Sequence, residues 1–64
     1  MNKNIRDLLD KHESLIIKTK DGKTFVVNRV FAEYDEFVSI NAPKEFKAEQ
    51  TLIYKHHIES VESQ

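Results

Sequence analysis

The chain's single glycine lies in Lys20-Asp21-Gly22-Lys23, between LIIKT (Leu15–Thr19) and TFVVNRVFAEY (24–34), two runs rich in β-branched and aromatic residues. An Asp-Gly pair in that setting is the strongest short-range signal for a β-hairpin, because glycine takes the positive φ that a tight turn between twisted strands requires. The remaining segments follow from it. Asp35-Glu36 precedes a third apolar run, FVSI, and NAPKEFKAEQ (41–50) holds the only proline and reads as a loop. TLIYKHHI and the short ESVE then give two further strands. Ahead of all these, Ile5, Leu8 and Leu9 fall at i, i+3, i+4, one face of a short amphipathic helix, with Asn4 placed to cap it and Asp7 in its first turn.

These elements predict one domain over residues 1–64, with a helix at about 4–12 and strands at about 15–20, 24–34, 37–41, 50–57 and 58–62. The expected fold class is all-β with an N-terminal helix. A strongly bent five-stranded antiparallel sheet, or a partly open barrel, accommodates strands joined mostly by short turns. The long second strand needs a bend, and Asn28 is the expected place for a bulge.

A monomer of this size buries only about 60% of the surface its unfolded chain exposes, so its core is marginal. No cysteine is present to form a disulfide, and the three histidines lack metal-binding spacing, so neither metal nor cofactor is expected. Exposed sheet edges also recruit neighbours unless they are blocked, and LIYKHHI carries little blocking charge beyond Lys55. Both arguments predict a homo-oligomer.

No apolar run approaches the roughly 20 residues that cross a bilayer, and MNKNIRDLLDK lacks the apolar stretch of a signal peptide, so a cytoplasmic protein without a membrane partner is expected. Ten Lys plus Arg against eleven Asp plus Glu give a formal charge of −1. Phosphate binding therefore has to come from a local patch and not from bulk charge.

The residues with most chemistry lie in Tyr54-Lys55-His56-His57. In a regular strand Leu52, Tyr54, His56 and Ile58 share one face, and Ile53, Lys55 and His57 share the other. On alternation alone, His56 reads as a satisfied histidine beside the core and Lys55 and His57 as solvated residues. The functional alternative makes lysine and histidine donors to a base edge or phosphate, with Phe37 as a stacking surface. An enzyme is not expected: no Ser-His-Asp wording is present, and the carboxylates fall mainly in turns and solvated positions.

LIYKHHI closely resembles the Tyr-Lys-His segment of the bacterial Hfq family of Sm-like RNA chaperones. The order of a short helix, a strand, an Asp-Gly turn, a long second strand and then YDEFVSI is also similar, and the likeness extends over nearly the whole chain. The resemblance implies an Sm-like fold and a hexameric ring formed by pairing the last strands of neighbouring subunits. It further implies that uridine-rich single-stranded RNA binds at the pore and that the ring influences RNA pairing, translation or decay. Phe37 matches the family's stacking aromatic, Lys55 its contact to the base edge, and His56 its contact to phosphate or ribose. Asp35 matches a strand-opening acid that organises the turn.

Several positions depart from the family. Arg6 stands in the region of a pore-face glutamine, and His57 stands where the family usually has a small residue. The glycine that bends the family's second strand is absent, and that strand is about two residues longer here. The rim stretch DKHES carries Lys11 alone as a reliable cation, so annealing activity at the rim is expected to be weak. Lys18, Lys20 and Arg29 are candidates for the opposite, adenine-reading face. Phe25, Phe31 and Tyr34 are read as barrel core or subunit contact, Phe46 as a loop-closing aromatic, and His12 as the end of the helix. A ring-forming structural or protein-interaction subunit with little RNA affinity is the rival reading, and a monomeric nucleic-acid-binding barrel is a third.

Overall fold

The computed structural model describes residues 4–64. Asn4 caps helix α1 (Ile5–Asp10), its side-chain oxygen accepting the Asp7 N–H at 3.0 Å. Six residues are too few for a helix to persist alone in water, and α1 is held by packing. Ile5 is fully buried, and Leu8 and Leu9 pack against the core.

Strands β1 (Leu15–Thr19) and β2 (Thr24–Val27) form the expected hairpin, with Ile17 opposite Phe25. Gly22 has φ of +87° and donates its N–H to the Thr19 carbonyl at 3.0 Å. The Thr19 hydroxyl donates to the Asp21 carboxylate, which lies below the ordinary carboxylate range chiefly because of that bond. The chain continues as β3 (Val30–Glu33), β4 (Phe37–Asn41), β5 (Gln50–Tyr54) and β6 (Ile58–Ser63).

The expectation of one bent five-stranded sheet or partly open barrel of Sm-like type is corrected here. Six strands form two separate three-stranded antiparallel sheets, in the orders β2-β1-β6 and β3-β4-β5, and no barrel closes. The physical reason lies at two breaks. The long run 24–34 contains no glycine, and instead of bending as one strand it leaves strand geometry at Asn28-Arg29. The Asn41 side chain takes over the missing ladder: its Oδ1 accepts the Asn28 and Arg29 N–H groups at 3.0 and 3.2 Å, and its Nδ2 donates to the Val26 carbonyl at 3.0 Å. Backbone groups that lose a strand partner need another one, and one side chain supplies it here.

The second break is at Lys55–His57, where the expected strand 50–57 gives way to a 3₁₀ turn. The Lys55 N–H donates to the Glu36 carbonyl at 2.8 Å, and the His57 carbonyl accepts the Lys20 N–H at 2.8 Å. The turn thus hands the chain from one sheet to the other and is tied to both.

One apolar cluster joins the sheets and the helix: Ile5, Leu15, Ile17, Phe25, Val27, Val38, Ile40, Ile53 and Ile58. Alternation is clean in β1 and β2, whereas Val38, Ser39 and Ile40 are all buried in β4, the central strand of its sheet. Ser39 satisfies its buried hydroxyl by donating to the Gln50 side-chain oxygen at 2.6 Å. Strands β2, β6, β3 and β5 are sheet edges within the chain. The loop between β4 and β5 is closed at its base by the Ala42 N–H to the Glu49 carbonyl, and Phe46 in it is exposed.

Candidate nucleic-acid interface

The five residues singled out from sequence do not all stand alike. Phe37 opens β4 directly opposite Tyr54, the last residue of β5, and their rings meet edge to face at 6.0 Å. The Asp35-Glu36 turn folds Tyr34 back toward Phe37: the Tyr34 N–H donates to the Phe37 carbonyl, and the two rings lie 4.8 Å apart. On its other side Tyr54 faces His56 at 5.8 Å and His57 at 6.4 Å, and the two imidazoles stand edge to face at 4.4 Å. Five rings therefore form one continuous surface group. Tyr34 and Tyr54 are 57% and 50% exposed, both histidines are exposed, and Phe37 is half-buried.

The 3₁₀ turn changes which side chains travel together. Strand alternation pairs Tyr54 with His56 and Lys55 with His57; instead, both histidines flank Tyr54 while Lys55 turns inward. The Lys55 ammonium lies 2.8 Å from Oε2 of Glu33, and only 12% and 10% of the two side chains remain exposed. Both oxygens of Glu33 are engaged. Its Oε2 also accepts the Ile5 N–H at 2.6 Å, and its Oε1 accepts the Arg6 N–H at 2.8 Å, so one carboxylate ties the first turn of α1 to the lysine. Burial pushes the Glu33 carboxyl up, but the Lys55 bond and the two N–H bonds outweigh it and hold the group below the usual carboxylate range.

Arg6 is exposed, with its guanidinium 3.4 Å from the Val30 carbonyl. It belongs to the site through Glu33, which receives its backbone N–H. No family model, curated protein or solved structure matches the chain.

A groove of about 350 Å³ beside Asn41, Pro43 and Lys44 includes none of Tyr34, Phe37, Tyr54, His56 and His57. Among the candidates for a second face, Lys18 pairs with Glu62 at 3.8 Å, Arg29 lies over the Phe31 ring at 4.5 Å, and Lys20 is exposed. Among the described residues no three His, Asp or Glu side chains are grouped to hold a metal ion, and no helix is long and apolar enough to cross a membrane.

Two members of the site, Tyr34 and Glu33, are not apparent from the sequence. Tyr34, expected in the core or at a subunit contact, lies outside the core of the chain with its ring tilted against Phe37. Tyr54, already part of the Tyr54-Lys55-His56-His57 stretch, extends the same group. Glu33 carries a weak signal in retrospect, an acid closing the otherwise apolar VFAE run, where burial of an ionised group demands a partner.

Proposed function

We propose that the chain is a single-stranded RNA-binding protein of Hfq type, a cytoplasmic homo-oligomeric ring, hexameric, that holds uridine-rich RNA and modulates RNA pairing, translation or decay. The observation that carries this reading is the continuous ring surface Tyr34–Phe37–Tyr54–His56–His57, with Lys55 turned inward beneath it onto Glu33. Exposed aromatic and imidazole faces stack on unpaired bases, and each such contact contributes about 1–3 kcal/mol. Imidazole N–H groups add donors for phosphate or ribose.

Assembly rests on the edges. Strands β5 and β6, the last two in the chain, are both edge strands, and β5 exposes Leu52 and Tyr54. Pairing β5 of one copy with β6 of the next closes those edges and adds the burial that a small core lacks. Repetition around a ring also concentrates donors that one chain of net charge −1 supplies singly.

The test is binding of a labelled oligouridine to the wild-type protein and to the Phe37→Ala/His56→Ala variant, followed by fluorescence anisotropy. Loss of one stacked base predicts an affinity about 5- to 150-fold lower with the same oligomeric mass. Equal affinity removes this surface from consideration. The burial of Lys55 against Glu33 favours a second reading, a ring-forming structural or protein-interaction subunit with weak or no RNA binding; wild-type protein that oligomerises and ignores oligouridine supports it.

A further inference from the structure

The RNA-binding reading assigns Lys55 a contact to RNA, yet its ammonium already sits in a closed network. Glu33 is itself tied in place, because the same carboxylate accepts the first two N–H groups of α1, from Ile5 and Arg6. Both side chains are largely buried, so water does little to screen the pair. Seen from a phosphate several ångströms away, an opposed charge pair at 2.8 Å presents a small dipole in place of a unit cation. An ammonium nevertheless has three N–H donors, and one bond to Glu33 leaves the others for a neutral acceptor at short range.

We propose that Glu33 is the specificity-determining residue of this site: it positions Lys55 and cancels the lysine's charge, so that Lys55 reads a carbonyl oxygen on a base edge and does not anchor phosphate. The inference rests on the RNA-binding reading and deepens it. Uracil presents carbonyl oxygens on its Watson–Crick edge, and a lysine stripped of its long-range field favours that acceptor over any polyanion. Backbone affinity then falls to the exposed His56 and His57, and the salt dependence of binding is shallow for an RNA-binding ring. Glu33 acts through Lys55 and is a positioning residue.

The experiment compares wild-type protein with Glu33→Gln, using labelled oligouridine and inorganic polyphosphate as separate probes across a salt series. Unmasking Lys55 is expected to raise polyphosphate affinity about tenfold or more. It should steepen the slope of log affinity against log salt by about 0.7 for each phosphate newly neutralised. The preference for oligouridine over polyphosphate should drop by a similar factor. A purely structural Glu33 leaves slope and preference unchanged, or weakens both probes equally, and that result overturns the proposal.

The double variant Glu33→Gln/Lys55→Gln keeps the net charge and does not depend on an unpaired lysine for folding. It is expected to lose oligouridine affinity with the wild-type salt slope, whereas a shallower slope identifies Lys55 as a phosphate anchor and overturns the inference. The two levels fail separately. Wild-type protein that binds oligouridine, with Glu33→Gln unchanged, sinks the inference and leaves the reading. Wild-type protein that binds neither probe, with Glu33→Gln binding polyphosphate, sinks the reading and supports the masking. If neither protein binds either probe, both are wrong.

Discussion

Lys55 Nζ lies 2.8 Å from Glu33 Oε2, and the same carboxylate caps the first turn of α1 through the Ile5 and Arg6 N–H groups. The short turn that changes sheets, the end of β3 and the start of the helix thereby meet at one buried charge. A helix of six residues depends on such an anchor, and a lysine held there is no longer a free surface cation.

The pH dependence of stability follows from that charge. Glu33 titrates below its ordinary value of 4.5 in the fold, so the folded state binds its proton less readily than the unfolded state. Its contribution is present above about pH 4.5 and is lost as pH falls through the lower folded value. Thermal melts between pH 7 and pH 3 are expected to show the melting temperature falling from about pH 4.5 downward. The same series on Glu33→Gln should be flatter over that interval, and a parallel decline removes Glu33 as the cause.

Asn41 holds the division between the sheets. Asn41→Ala leaves the Asn28 and Arg29 N–H groups and the Val26 carbonyl without their partner. Partial solvation limits the loss, and about 1–2 kcal/mol of destabilisation is expected in chemical denaturation. Hydrogen exchange at the Asn28 and Arg29 amides should accelerate more than exchange in β1. Unchanged exchange at those two amides contradicts the role given to Asn41.

Gly22 occupies the left-handed region at φ +87°, and a Cβ built there meets nothing within 4 Å. Gly22→Ala therefore introduces backbone strain without a clash, about 1–2 kcal/mol. For a domain of this size that lowers the melting temperature by about 4–8 °C per kcal/mol. Gly22→Asn, which tolerates this region better, should fall between the two.

Ile17 and Ile40 are fully buried in the shared core. Truncating either to alanine is expected to destabilise by about 2–5 kcal/mol. A single small domain has little more than that in reserve, so circular dichroism should show Ile40→Ala largely unfolded near 37 °C unless assembly restores it. A melting temperature that rises with protein concentration in this variant reports the contribution of subunit contacts.

Local chemistry was readable where it acts locally. Asn4 caps the helix, Asp21-Gly22 turns the first hairpin, and the period-two pattern of LIIKT and TFVV marks which side chains are buried. The two features that set the architecture depend on distant partners. Nothing in VVNRVF announces that Asn41, thirteen residues beyond Asn28, stands in for a strand there. Likewise YKHH reads as strand, and it forms a turn because backbone bonds to Glu36 and Lys20 hold its two ends. That one error re-sorts the site: Lys55 leaves the surface for Glu33, and His56 and His57 join Tyr54 instead of facing apart. Phe37 reads from the sequence as an available stacking surface, but that it lies against Tyr34 and opposite Tyr54 emerges only from the turn and the strand register.

Native mass spectrometry of the purified protein, alone and with a short oligouridine at modest ionic strength, puts assembly and ligand to the same test. A hexamer that takes up the oligonucleotide is the expected result, with uptake reduced in Phe37→Ala/His56→Ala at unchanged mass. A monomer that binds no oligouridine contradicts both the ring and the interface built on Phe37, Tyr54, Lys55 and His56.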